Sequence, residues 1–247
     1  MAPISYTDWL LLAIAAFGIG ITKSGFSGVS MVHVYLFASV FGAKDSTGIV
    51  LPMLIAGDIF AMSVFGKRAN WSYVRRMMPP TLIGVVMGWV VMFQLPEVYY
   101  RPLTGLIILS LTVMQIIRLW NEKWLADVPH AIWFAWCMGI LVGLTTMLAN
   151  AAGPVFGLYL LAIGLPKLEF VGTAAWFFLL LNIVKIPFSW SLGLIRLDTL
   201  ALNVMLIPLI AVGLWVGTLL IRRIPQRQFD SLILVLTGVA SIRMLFW

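Results

Sequence analysis

Two short polar interruptions stand out in an otherwise greasy chain of 247 residues, Thr22-Lys23-Ser24-Gly25-Phe26-Ser27-Gly28 and Asn150-Ala151-Ala152-Gly153-Pro154. Each breaks a long apolar region at a corresponding place, and paired breaks of this kind mark midplane sites in membrane proteins. Glycine permits the turn, Pro154 suits the first turn of a following helix, and Ser27 or Asn150 is placed to cap one. The two new helix starts then offer free N–H groups and the positive end of a helix dipole, to which Lys23 adds a full charge. That chemistry favours a small anion. Read singly, either break is equally well an ordinary turn at the membrane surface, with Lys23 in water and Gly28 serving close packing. Two breaks in register favour a site.

Asp58 lies far from both ends of the apolar stretch around it, where an ionised carboxylate costs about 2.5–3.5 kcal/mol on insertion scales. It needs a partner or a proton. Lys185, one turn beyond Asn182 and equally deep in its own stretch, is the expected partner. In a functional role the pair releases Lys185 to the substrate or Asp58 binds a coupling proton; in a structural one it is a buried ion pair that only fixes packing. His33 has no visible partner and reads as structural, donating to a neighbouring helix. The stretch Trp176-Phe177-Phe178 reads as packed or lipid-facing rather than as a cofactor box.

The elements that must position these residues follow from composition. With 62% hydrophobic and 10% charged residues and a mean hydropathy of +1.04, the chain reads as one integral membrane domain, all-α, spanning 1–247. Expected spans are 6–22, 28–41, 46–66, 77–95, 102–120, 131–148, 151–164, 170–192, 199–221 and 228–246. The second and seventh, roughly 21 Å long at 1.5 Å per residue, are too short to cross alone. This gives eight to ten transmembrane segments with broken or re-entrant helices. The opening residues Met1 to Trp9 have no basic region of a signal peptide, so the first segment is expected to be retained. Cys137 is the one cysteine, and with His33 and His130 the only histidines no metal site or cofactor is expected. The formal charge of +7 lies mostly in loops beside spans, as topology signals rather than a nucleic-acid surface.

Counting those charges orients the chain. Lys67, Arg68, Arg75, Arg76, Arg118, Lys123, Lys167, Arg222, Arg223 and Arg227 fall on the cytoplasmic side, and Lys44, Arg101, Arg196 and Arg243 outside, with both termini outside. Tyr6, Trp9, Trp71, Tyr73, Tyr99, Tyr100, Trp120, Trp124 and Trp190 near span ends read as interfacial anchors. Sliding the halves over each other aligns Gly48-Ile49-Val50 with Gly172-Thr173-Ala174, and ten residues on sets Asp58 opposite Asn182. Tyr35-Leu36-Phe37-Ala38 before Gly42 similarly matches Tyr159-Leu160-Leu161-Ala162 before Gly164, with a small gap. The expectation is two inverted repeats, about 1–125 and 126–247. Enzyme motifs fail: Gly18 to Ser24 resembles a P-loop only at its end, no HExxH or GxSxG occurs, and Asp58 lacks a second deep aspartate. The chain is not read as an enzyme.

The pattern Lys23-Ser24-Gly25-Phe26-Ser27-Gly28, a short helix, then Gly42-Ala43-Lys44-Asp45-Ser46-Thr47-Gly48, repeated more loosely as Asn150-Ala151-Ala152-Gly153-Pro154 and Gly164 to Thr173, resembles the sulfite exporter TauE/SafE family over nearly the whole chain. The resemblance implies a bacterial or archaeal plasma-membrane permease for sulfite, sulfonates, sulfoacetate and related anions, working without an ATPase. The family's glycine-rich turns carry over to Gly25, Gly28 and Gly153, while Asn150 stands where a second lysine would match Lys23. The expected substrate-binding set is Lys23, Ser24, Gly25, Ser27, Gly28, Asn150, Gly153, Thr173, Asn182 and Lys185, with Asp58 for proton coupling or an ion pair. The expected partners are a small anion and the lipid bilayer, and a homo-oligomer is compatible with these spans. The competing readings are uptake of another organic anion, told apart by the sign of flux in oriented vesicles, and a non-transporting accessory subunit, which predicts no flux by the purified chain.

Overall fold

The computed structural model describes residues 5–120 and 132–220. Within them the chain is helical: α1 (Tyr6–Lys23), α2 (Ser30–Phe41), α3 (Asp45–Ile49), α4 (Leu51–Phe65), α5 (Trp71–Gln94), α6 (Tyr100–Trp120), α7 (Ile132–Ala149), α8 (Gly153–Ala162), α9 (Lys167–Ser191) and α10 (Leu197–Leu220). Among the described residues, five stretches are long and apolar enough to cross a membrane: Asp45–Arg68, Trp71–Gln94, Ile132–Ala149, Lys167–Ser191 and Leu197–Leu220. Large apolar side chains such as Phe93, Val204, Met205 and Trp215 point outward. Water would penalise so much exposed apolar surface, whereas lipid accepts it. The chain is a multi-pass membrane protein. The expected last span, 228–246, lies outside the described residues.

Helix starts follow local chemistry. Ser5 caps α1 through a reciprocal bond with Asp8, and Asn70 caps α5 by accepting from the Ser72 N–H. The cap at Asn70 starts α5 at Trp71 rather than at the expected 77, so Arg75 and Arg76 sit inside its first turns. The expected span 46–66 is divided at Val50 into α3 and α4.

The two short helices do not continue the direction of the helix before them. After α1 the chain turns at Gly25, where φ is 113°, a left-handed conformation that glycine tolerates. It then folds back, so that Val29 and His33 lie against Gly18. After α7 it turns at Asn150, φ 52°, where Ala151 N–H donates to the Thr145 carbonyl. Here α8 runs back along α7, bringing Tyr159 against Phe134, ring centroids 6.0 Å apart. The segments 28–41 and 151–164 are thus the returning arms of hairpins, not crossings.

The hairpins have opposite sense. One face of the protein carries Lys44, the start of α6 and the end of α9; the other carries Lys67, Arg68 and the starts of α5 and α9. Beside α10, the first hairpin enters from the Lys44 face, because α1 runs parallel to α10: Phe17 meets Gly213 and Ser24 meets Gly217. The second enters from the Arg68 face, with α7 parallel to α5: Gly139 meets Pro80 and Gly88 meets Met147. Both crossings depend on missing side chains. Gly20 lies on the backbone of Ile210 to Leu214, and Gly143 lies on the backbone of Thr81 to Val85. Gly213 and Gly84 return the contact on Phe17 and Ile140. Without a solvophobic drive between helices in lipid, such close approach supplies the dispersion contact that holds them.

The aromatic residues divide. Tyr6, Trp9, Trp71, Tyr99 and Trp190 are exposed near helix ends, as interfacial anchors should be. Tyr100 is not an anchor: it is buried, with the Lys44 ammonium 5.0 Å from its ring centre. Tyr73 packs edge-on against Tyr159. Trp120 and Trp124 lie outside what is described of side chains.

A branched side chain at Gly20 or Gly143 must force apart two backbones. We expect Gly20→Val and Gly143→Val each to lower stability by about 1–3 kcal/mol or more, measured as thermal unfolding in detergent. Gly18→Ala, whose added atom would sit 3.5 Å from Val29, should leave the transition nearly unchanged.

Candidate functional site

The hairpin tips and the middles of α4 and α9 enclose a cavity. Its polar lining comes from Thr22 and Lys23 at the end of α1, Ser30 and His33 on α2, Asp58 on α4, Thr146 and Asn150 at the second tip, and Asn182 on α9. Two returning helix starts face it, α2 through Ser30 and α8 through Ala152, Gly153, Phe156 and Gly157. The two helix starts expected from the breaks thus border one cavity. Its apolar wall includes Phe156 and Phe178.

The charges are held differently from the sequence expectation. Asp58 does not pair with Lys185. Its carboxylate meets the Lys23 ammonium at 2.6 Å and accepts from the Asn182 amide at 2.7 Å. Sequence reasoning treated Lys23 as a free charge and Lys185 as the counter-ion; the first hairpin places its lysine at the depth of Asp58, where α4 and α9 meet. Asp58 and Asn182, aligned across the two halves, touch each other directly.

Lys185 is fully buried and its ammonium donates to three neutral acceptors at the second tip: the Thr146 carbonyl at 2.8 Å, the Thr146 hydroxyl at 3.1 Å and the Asn150 side-chain oxygen at 2.6 Å. Thr146 is in the last turn of α7, where the dipole is negative and a cation is favoured, and its carbonyl accepts both from the Asn150 N–H at 3.0 Å and from the ammonium. Lys23 sits equivalently in the last turn of its own helix α1. Each inbound arm thus ends on an ammonium, one supplied from within and one from α9. Lys185 stands one layer behind the cavity, screened from it by Asn150.

Other expected residues are placed as follows. Gly25 and Gly153 line the cavity, whereas Ser24 and Gly28 do not. The Ser24 hydroxyl donates to the Ile21 carbonyl at 2.7 Å and packs on Gly217. Nothing is described of the Ser27 side chain. Asn150 is not a helix cap: its amide donates to the Thr47 carbonyl at 2.9 Å, tying the second tip to α3. Thr173 does not line the cavity either. Its hydroxyl accepts from the Asn70 N–H at 2.9 Å and so fixes the start of α5.

Residues missed from sequence are Thr22, Ser30, His33, Thr146, Phe156 and Phe178. Thr146 was findable, since it precedes Asn150 by one helical turn and shares its face. Phe178 is not mere packing: the Lys23 ammonium lies 5.2 Å from its ring centre. Phe156, stacked on Phe177 at 4.0 Å, and His33 come to the cavity only because their helices fold back.

Removing one member of the Lys23–Asp58 pair leaves the other buried without its counter-ion. We expect Asp58→Leu and Lys23→Met each to cost about 3–5 kcal/mol, and the double variant to cost less than Asp58→Leu alone. Thermal unfolding of the four proteins in one detergent reads the cycle.

No curated protein and no solved structure matches the chain significantly. A family model described as sulfite exporter TauE/SafE matches residues 12–244. A helical multi-pass membrane protein agrees with that match, and the chain belongs to the TauE/SafE sulfite exporter family, a family of membrane transporters.

Proposed function

We propose that the chain is a secondary transporter of the plasma membrane that moves a small sulfur-containing oxyanion, such as sulfite, a sulfonate or sulfoacetate, outward by alternating access. The observation that carries this reading is the cavity where the two hairpin tips meet, lined by two helix starts and Lys23. Helix starts and an ammonium are the groups that replace water around an anion inside lipid. The substrate is held between the tips by the start of α8, Lys23 and Asn182, while Asn150 links it to the Lys185 charge behind.

Hairpins of opposite sense suit alternating access, because each tip closes the path from one side. Their exchange of position about the Asp58–Asn182 contact, and the reciprocal crossings of Gly20 and Gly143, support two inverted repeats within a single domain, about 1–125 and 126–247. Lys67, Arg68, Arg75, Arg76 and Lys167 share one face and Lys44 and Arg196 the other, which supports a cytoplasmic Arg68 face and an amino terminus outside. On the same parity the carboxyl terminus lies outside. An inside-negative potential then assists export by about 2.3 kcal/mol per net negative charge per 100 mV. No hydrolytic or redox step is required.

In proteoliposomes holding the purified chain, labelled sulfite should leave down an imposed potential, and Lys23→Met should lower the rate about tenfold or more, the effect of losing one charge-assisted bond. Equal flux through folded Lys23→Met would remove Lys23 from the substrate path. Absence of flux for sulfite, taurine and sulfoacetate under either polarity would overturn the transport reading for this chain acting alone.

A further inference from the structure

In the cavity lining, Lys23 is the cation placed to meet an anion, yet its ammonium already sits on the Asp58 carboxylate at 2.6 Å. The other oxygen of Asp58 accepts from Asn182 at 2.7 Å, and the residue has no exposed surface. An anion entering the cavity therefore meets a cation that is already neutralised, with a carboxylate directly behind it.

Two arrangements give every charge of this pair a partner. In the empty site, ionised Asp58 holds Lys23. In the loaded site, the anion holds Lys23 and a proton neutralises Asp58. The mixed arrangements fail. An anion beside ionised Asp58 puts two negative charges on one ammonium, and protonated Asp58 in an empty cavity leaves Lys23 without a counter-ion. An uncompensated ion so deep in the protein is costly, so anion and proton favour each other's binding, and by linkage each does so to the same degree.

The other titratable groups near Asp58 are Lys185 from α9, held one layer back by Thr146 and Asn150, and His33 from α2, which lines the same cavity. The remaining charged side chains on the described elements packed against α4 lie at helix ends.

We propose that Asp58 is the coupling-proton site of the transporter: a proton taken by the carboxylate oxygen that faces Lys23 releases the ammonium to the anion, so that one proton crosses with each anion. The proton comes from water on the side where the anion enters and is lost to water on the side where it leaves. Lys23 keeps its own proton throughout, and Asn182 keeps its bond to the second oxygen. The empty site returns with its ion pair closed. The inference rests on the transport reading above and names its coupling ion. A dianion carried with a proton still moves one net negative charge, which an inside-negative potential drives outward.

The test uses the purified full chain in detergent with methanesulfonate, an anion that does not itself titrate near neutrality. In weakly buffered solution, binding should take up about one proton per anion, and affinity from isothermal titration should fall about tenfold per pH unit toward the alkaline side. The infrared difference spectrum on adding the anion should gain the C=O band of a protonated carboxyl, because Asp58 is the buried carboxylate among the described residues. Asp58→Asn, which has the shape of the protonated group and does not titrate, should bind methanesulfonate without proton uptake and equally well at every pH. Proton uptake that persists in folded Asp58→Asn overturns the role of Asp58. Wild-type binding with no carboxyl band, or with an affinity flat across pH, overturns proton coupling while leaving anion transport intact. The band decides the matter where the variant does not fold, and also where sulfite binds and methanesulfonate does not, because neither anion carries a carboxyl. Binding of neither anion by the wild type overturns the transport reading together with it.

Discussion

Among the described residues, Lys23, Asp58 and Lys185 carry charges deep in the protein, and the arrangement of the helices around them follows from the need to satisfy each. Asp58 on α4 is met by an ammonium and an amide. For Lys23 to reach it, α1 must end inside the protein and not at its surface, and the returning arm α2 is the consequence. For Lys185 to be met without a carboxylate, neutral acceptors must be brought to it, and the end of α7 provides the Thr146 carbonyl and hydroxyl and the Asn150 side-chain oxygen. An uncompensated ion in hydrocarbon is costly enough to favour broken helices over straight ones here. The breaks expose backbone polar groups, but only where protein or the cavity receives them.

Bringing two helix ends so deep requires tight neighbours, and glycine supplies the space. The pairs Gly20 with Gly213 and Gly143 with Gly84 let α1 lie on α10 and α7 lie on α5 at backbone contact. At the surfaces of the protein a second pair does related work, Gly48 against Leu194 and Gly172 against the backbone of Phe65 to Ala69. The inbound arms are therefore braced along their length by long helices, whereas the returning arms α2 and α8 present their starts to the cavity. The same geometry that satisfies the charges sets the starts of two helices against one interior space.

The charge pattern also separates the two tips in role. The Lys23 tip carries its charge into the cavity lining and against the Phe178 ring. The Asn150 tip carries an amide, fixed on one side by Thr47 and on the other by Lys185. A substrate contacting both tips would be bonded directly to a cation at one and through a polarised amide at the other.

Much of this was legible in the sequence because lipid imposes strict rules on local composition. Apolar length marked the helices, glycine and proline marked the two breaks, and the depth of Asp58 and Lys185 in their stretches marked them as buried. Lys23, Gly25, Asn150, Gly153 and Asn182 were all named before any fold was known, and all line one cavity. What the sequence left open was pairing, because it states how deep a residue lies along its helix and not which neighbour stands beside it at that depth. The depth of Lys23 was itself open, between water and the site, and only the crossing of α1 over α4 set it rather than Lys185 against Asp58. Thr173 was in register with the site but rotated toward Asn70, and His33 belonged to it only after α2 folded back. One residue of rotation on a helix turns a side chain through about 100 degrees, and the packing of helix on helix that fixes this rotation is a property of the assembled protein.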